Sequence, residues 1–287
     1  MFRRIIMLDK ALIFIVFTLL FFTQKSFSAE VVYPGKERND YIIKLLKQAL
    51  SYEDLHNKYH VKAHGLDMPK GRAFNMMSKG EGIDVMFGSA TVEREMHYLP
   101  IQFPLMRGLN GWRIPLINSQ QKTIFKSIST LADYKTLKPG QRGSWTDTKV
   151  LEFNGINVVK SSNYEGLYNM LHQRRFDYFP RSVLKIKQDL IDNHQLDLMI
   201  DPYVLIHYPT AYYFYVRKDN KLLANDITKG LENALKDGEL NALFMESYGD
   251  VVNEIKADKR RVFSLNNPFL PENTPLSRKE LWIDLAK

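Results

Sequence analysis

The sequence contains no cysteine. Such a chain forms no disulfide, offers no thiolate nucleophile and has no cysteine for lipid attachment, so an apolar core alone must hold it. Several catalytic signatures are missing as well: there is no GxSxG turn, no phosphate-cradling glycine loop and no HExxH pair. Long hydrophobic runs are scarce. Ala11 to Phe22 is an apolar stretch of 12 residues broken only by Thr18, short of the roughly 20 that a spanning helix needs. The formal charge of +8 is spread along the chain instead of forming a stripe, which argues against nucleic-acid binding. Its densest cluster, Lys256, Lys259, Arg260 and Arg261, reads as a solvated helix end. No short internal repeat is visible.

What is present begins with a compartment signal. Arg3, Arg4 and Lys10 precede or open the apolar run, and the small-residue stretch Ser26-Phe27-Ser28-Ala29 follows it. A charged head, a short apolar core and small residues at the cut make a secretory signal, expected at residues 1–28. Cleavage after Ala29 would instead place bulky Phe27 at a recognition position. An uncleaved anchor is the alternative that the short core disfavours. Removal takes away four basic residues (Arg3, Arg4, Lys10, Lys25) and one acid (Asp9), lowering the charge from +8 to +5. The expected product is a freely soluble periplasmic protein of roughly 260 residues, enough for one large or two medium domains.

Hydrophobic periodicity gives the order of elements. Apolar residues at 41, 42, 45, 46, 49 and 50 make a helical stripe, with Asn39 or Asp40 as its cap. Strand-like runs at 31–32, 59–63 and 83–87 alternate with it and with a short helix over 72–78. A second series follows: helical patterns at 147–153, 164–174 and 183–193 alternate with strands at 155–159, 176–179 and 196–200. Tyr212 to Arg217 is an aromatic strand, and helices over 222–236 and 240–248 precede a proline-rich tail. Alternation of this kind predicts an α/β fold with mixed, mainly parallel sheets. Two series and a late return predict two lobes joined by a two-strand hinge: 29–115 with 213–287, and 116–212.

The most informative segment runs from Gly82 to Pro104. A buried strand stops at Gly88, and Ser89, Ala90 and Thr91 follow at its carboxyl end, the edge where ligands sit in open α/β sheets. Thr91 is placed to cap a helix carrying Glu93 and Arg94. Loop hydroxyls, free amides and a forked guanidinium together make a carboxylate receptor. The competing reading is a capped helix whose Arg94 pairs with Glu93 or Glu95. His56, His60 and His64 are spaced as helical metal ligands, but Gly65, Pro69 and the β-like stretch after Tyr59 favour separate surface histidines. No metal or cofactor is expected.

Read as D-V-x-x-G-S-A-T-x-E-R-x-x-x-x-x-P-I-x-F-P, Asp84 to Pro104 resembles the family 3 extracytoplasmic solute-binding proteins, which share the two-lobed type II periplasmic-binding-protein fold. Leu131-Ala132-Asp133 with Gly143-Ser144-Trp145, and Tyr164 to Tyr178, resemble two further motifs of that family. The resemblance implies that Ser89 and Arg94 hold a ligand carboxylate, with Thr91 shaping the loop and Ser144 facing them from the other lobe. One departure bears on the ligand. Where amino-acid binders place a carboxylate for the ligand ammonium, this chain has Arg181 and Ser182. A cation there repels an ammonium and attracts a second anionic group, unless Arg181 turns away to pair with an acid such as Asp189. Trp145 and Tyr33 are candidate stacking surfaces or core residues. Arg113 is expected to brace the crossing between lobes.

The reading that follows is a non-enzymatic, monomeric receptor that closes on a small anionic ligand and presents it to a membrane permease or a membrane sensor. A rival is an enzyme on the same scaffold, dehydratase-like or cleaving cell-wall sugars, which would need a buried carboxylic acid in the cleft. Glu93 and Asp147 are its candidates. A ligand-free accessory factor is the third class.

Overall fold

The structure is a computed structural model that describes residues 28–52, 55, 57–257 and 259–286. Residues 1–27 of the expected signal lie outside them, as does His56. Among the described residues no helix is long and apolar enough to cross a membrane.

The first series builds two small sheets. β1 (Ala29–Tyr33) and β2 (Tyr59–Ala63) pair in parallel across α1 (Tyr41–Ala49). Asp40 accepts from the Ile42 and Ile43 amides to cap α1, whose Tyr41, Ile43, Leu45, Leu46 and Ala49 turn inward, the stripe of a half-buried helix. α2 (Lys70–Lys79) stops at Gly80, whose φ of +72° is the left-handed cap geometry that glycine adopts freely. β3 (Val85–Ser89) follows β1 through Asp84, whose N–H donates to the Val32 carbonyl at 2.9 Å while its carboxylate accepts from the Val32 amide at 2.9 Å. α3 (Val92–His97) and β4 (Leu99–Ile101) complete the series. β3 and β4 are held apart by β11 (Tyr212–Val216), which arrives from much later in the chain and pairs antiparallel with both.

The second series is organised around β5 (Trp112–Asn118). It pairs antiparallel with β8 (Phe179–Ser182), β9 (Leu198–Ile200) and β10 (Val204–His207). β6 (Gly140–Arg142) and β7 (Val159–Ser161) form a parallel pair beside it. Helices α4 (Leu131–Tyr134), α5 (Thr146–Phe153), α6 (Tyr164–His172) and α7 (Ile186–Asp192) connect these strands. The pairing is thus mixed but not mainly parallel as expected. β1–β2, β6–β7 and the pair that β10 makes with the later β12 (Arg261–Ser264) are parallel. Every pair made by β5 or β11 is antiparallel, because these two strands run back through sheets whose other members come from βα units.

The two halves meet at two neighbouring crossings. Gly111 and Tyr208 touch so closely that a Cβ on Gly111 would lie 2.1 Å from the Tyr208 carbonyl oxygen, and the Tyr208 amide donates to the Gly111 carbonyl at 3.2 Å. After β11 the chain returns to α1 through α8 (Lys221–Lys236) and α9 (Glu239–Ala257). β12 (Arg261–Ser264) then lies parallel to β10 at the edge of the β5 sheet, so the basic run of 256–261 ends in a strand, with Lys256 alone in the last turn of α9. The tail is tied to the first series. Arg278 forks onto the Glu232 carboxylate at 2.5 and 2.9 Å, and the Ile283 amide donates to the Arg107 carbonyl at 2.8 Å.

Candidate functional site

The carboxyl end of β3 opens into a cleft between the two series. A cavity of about 220 Å³ is lined there by Ser89 and Thr91 on one side, by Thr146, Asp147 and Ser182 on the other, and by Arg113 and Tyr208 from the crossings. A contiguous crevice of about 420 Å³ shares Ser89, Arg113 and Asp147 and adds Ser144, Trp145 and Tyr164. The structure therefore brings Ser89, Thr91, Ser144 and Trp145 to one place although more than fifty residues separate the two pairs.

Thr91 does cap its helix: its Oγ1 accepts from the Arg94 amide at 3.2 Å. That bond turns the first residues of α3 so that the Arg94 guanidinium folds back and donates to the Ser89 carbonyl. The Tyr215 hydroxyl donates to the same oxygen at 3.2 Å. The guanidinium also lies 5.2 Å from the Phe74 ring centroid and against Gly88, where a Cβ would sit 3.4 Å from it. Among the described residues Arg94 has no ion-pair partner, neither Glu93 nor Glu95. It remains partly exposed, with further N–H donors of its fork available beyond the Ser89 contact.

Two of the expected contacts are corrected. Arg181 borders the crevice, but its charge is committed within its own lobe. Nε and Nη2 meet the Asp189 carboxylate at 2.5 and 3.1 Å, and Nη2 also donates to the Tyr164 hydroxyl at 2.8 Å. The rings of Phe179, Tyr164 and Trp145 surround it at 4.7, 5.3 and 5.7 Å. The open alternative, pairing with Asp189, is the arrangement found, because a guanidinium this buried needs a compensating charge. Tyr33 is only 1% exposed and lies under Arg38, whose guanidinium is 5.9 Å from its ring; it is a packing residue, not a stacking surface. Trp145 is half-buried and sits flat against Phe179, with centroids 6.3 Å apart and planes 17° apart, so its remaining surface borders the crevice as a fixed platform.

The crossings carry their own polar cluster. Arg113 Nη2 meets Asp147 Oδ1 at 2.5 Å, and the Tyr208 hydroxyl donates to that same oxygen. Arg113 thus braces the crossing, as its position suggested, and Asp147 is held by two donors at the start of α5.

Sequence reasoning missed Lys70. It lies at the start of α2, with Nζ 3.2 Å from the Tyr212 hydroxyl and 5.1 Å from that ring's centroid. Tyr212 stands directly opposite Ser89 in the β3–β11 pairing. Partial removal from water, together with the guanidinia of Arg94 and Arg38, lowers the Lys70 ammonium to about 8. Nothing local in the sequence marks this lysine, because its relation to Ser89 exists only through a strand that arrives later in the chain.

No family model matches the chain, and no curated protein matches it in sequence. Solved structures match it along most of their length. One is the probable amino-acid ABC transporter extracellular-binding protein YtmK of Bacillus subtilis: 18% identity, 78% of this chain and 99% of that one covered, TM-score 0.54. Another is a Streptococcus mutans structure described for glutathione import via GshT and the cystine ABC importer TcyBC: 16% identity, coverage 77% and 95%, TM-score 0.51. A third is a histidine kinase sensor domain with similarity to periplasmic binding proteins: 15% identity, coverage 78% and 98%, TM-score 0.51. At such identities the likeness establishes the architecture of the chain.

Proposed function

We propose that this chain, a two-lobed α/β protein of the periplasmic-binding-protein fold, is an extracytoplasmic receptor that captures a small anionic solute by closing its lobes. The observation that carries the reading is the meeting of Ser89, Thr91, Ser144 and the Trp145 platform in one cleft, with the unpaired Arg94 folded onto the Ser89 carbonyl from the crevice that adjoins it at Thr91. A carboxylate entering beside Ser89 would meet a hydroxyl and a charged fork already oriented by backbone contacts, so little ordering is left to oppose binding.

In this reading residues 29–115 and the return through β11, α8 and α9 form the first lobe, and 116–212 form the second, with β12 docking onto the second lobe's sheet. Ligand binds the first lobe through Ser89 and Arg94. The second lobe then swings about the crossings at Gly111 and Tyr208, and the ligand shifts the equilibrium by its preference for the closed form. A permease or a membrane sensor would read that closure; the solved neighbours include proteins described for both roles.

The cleft's best-placed carboxylate supports binding over catalysis. Asp147 accepts from Arg113 and Tyr208 through one oxygen, so it is engaged in bracing the crossing. The test is ligand-induced stabilisation of the mature protein against a panel of carboxylates and amino acids. Arg94→Ala should abolish the shift produced by any hit, and an unchanged affinity in that variant would refute the assignment.

A further inference from the structure

Three cations from separate segments gather at the mouth of the first lobe. Arg38 comes from the loop before α1, Lys70 from the start of α2 and Arg94 from α3. Arg38 lies over Phe87 at 4.8 Å and is compensated, its Nε standing 3.1 Å from Asp40. Lys70 and Arg94 have no carboxylate partner among the described residues. Both border one crevice of about 230 Å³, which joins the main cleft at Thr91. The groups facing Lys70 are Arg94, Arg38 and Tyr212, with Asp40 acting on Tyr212; Glu93 and His97 line the crevice on the α3 side. Bringing two unpaired cations together opposes folding through their mutual repulsion, and an anion between them would relieve it. One carboxylate would occupy Arg94 and leave Lys70 uncompensated.

Resting on the receptor reading above, we infer that Lys70 and Arg94 form a two-cation receptor, and that the solute carries two negative charges, as a dicarboxylate or a phosphoryl group. The second charge is thus read by the first lobe, and not by Arg181, whose charge Asp189 already balances. Partial removal from water, with the neighbouring cations, eases loss of the Lys70 proton in the free protein, and a bound dianion would hold that proton in place. Affinity for a dianion therefore falls as pH rises past about 8.

The experiment compares the mature protein with Lys70→Met, Lys70→Arg and Arg94→Met by calorimetry and thermal shift. The probes are malonate, succinate and glutarate, each against its own half-amide, together with inorganic phosphate and a set of neutral amino acids. The expected result is a preference of about tenfold or more for a dianion over its singly charged partner. Lys70→Met should erase that preference while keeping half-amide binding. Lys70→Arg should keep it and remove the decline between pH 7 and 9.5. Phosphate binding without dicarboxylate binding assigns the two charges to a phosphoryl head, and the converse to a dicarboxylate. A preference that survives Lys70→Met overturns the inference, as does equal binding of neutral amino acids, which would leave the receptor reading standing. If no probe binds the wild-type protein the inference falls, and if a probe binds but Arg94→Met leaves its affinity unchanged, the receptor assignment falls with it.

Discussion

Replacing Asp189 by alanine would strand the Arg181 guanidinium among aromatic rings. The two side chains are only 9% and 10% exposed, so solvent screening offers little relief. Removing one partner of such a pair costs about 3–5 kcal/mol, because the remaining buried charge loses its compensation. At about 2–4 °C per kcal/mol for a chain of this size, Asp189→Ala should lower Tm by roughly 6–20 °C. The double variant Arg181→Met, Asp189→Leu removes both charges and keeps apolar bulk against Phe179 and Trp145, so it should recover most of that loss. Urea unfolding followed by circular dichroism measures both variants, and a double-mutant cycle gives the coupling. Because Arg181 positions Trp145 and does not meet solute, the double variant should also retain solute affinity within a few fold. A loss below about 1 kcal/mol for Asp189→Ala, or additive losses in the double variant, would refute the description of a buried and mutually dependent pair.

His207 lies against Trp112 with centroids 4.2 Å and planes 30° apart, and burial lowers its pKa to about 4, opposed by Asp284. Its folded value is depressed, so the unfolded chain takes up the proton first; the contribution is intact above about pH 6.5 and is lost as pH falls towards 4. His207→Phe should flatten that part of the stability–pH curve, measured by urea midpoints. Asp201 runs the other way. Burial raises it to about 6 despite amides from Tyr203 and Val204, so its ionisation destabilises the fold as pH rises from about 4 to 6. Asp201→Asn keeps an acceptor for both amides and should gain about 1–3 kcal/mol at pH 7, read from chemical denaturation; a loss would refute this. A Cβ on Gly230 would lie 1.8 Å from the Ala49 carbonyl oxygen, so Gly230→Ala should cost at least about 2 kcal/mol by forcing α8 away from α1, again read by denaturation.

Local physics made much of the fold legible. The stripe of α1 with its Asp40 cap, the strand over 59–63 and the glycine stop of α2 all follow from periodicity and termini. β10 escaped notice because its apolar run spans only Val204 to His207 between Pro202 and Pro209, too short for periodicity to register. β12 was hidden by the basic run before it, since charge says nothing about the pairing of Val262 and Phe263 with β10. The Ser89–Arg94 loop was readable because cap, hydroxyl and guanidinium are neighbours in sequence. Lys70 was not, because its relation to Ser89 passes through Tyr212. Arg181 misled because its sequence position gives a charge and not the direction in which that charge points.

The central place of β11 has a consequence for how the molecule comes into being. β3 and β4 cannot be joined until residues 212–216 have been made, so the Ser89 edge stays unfinished through most of synthesis. A fragment ending at residue 211 would hold every side chain of the Ser89–Arg94 loop and still lack the strand that fixes it. Such a chain emerges from the ribosome as an unfinished sheet, and a strand from late in the polypeptide acts as the key that sets its first part.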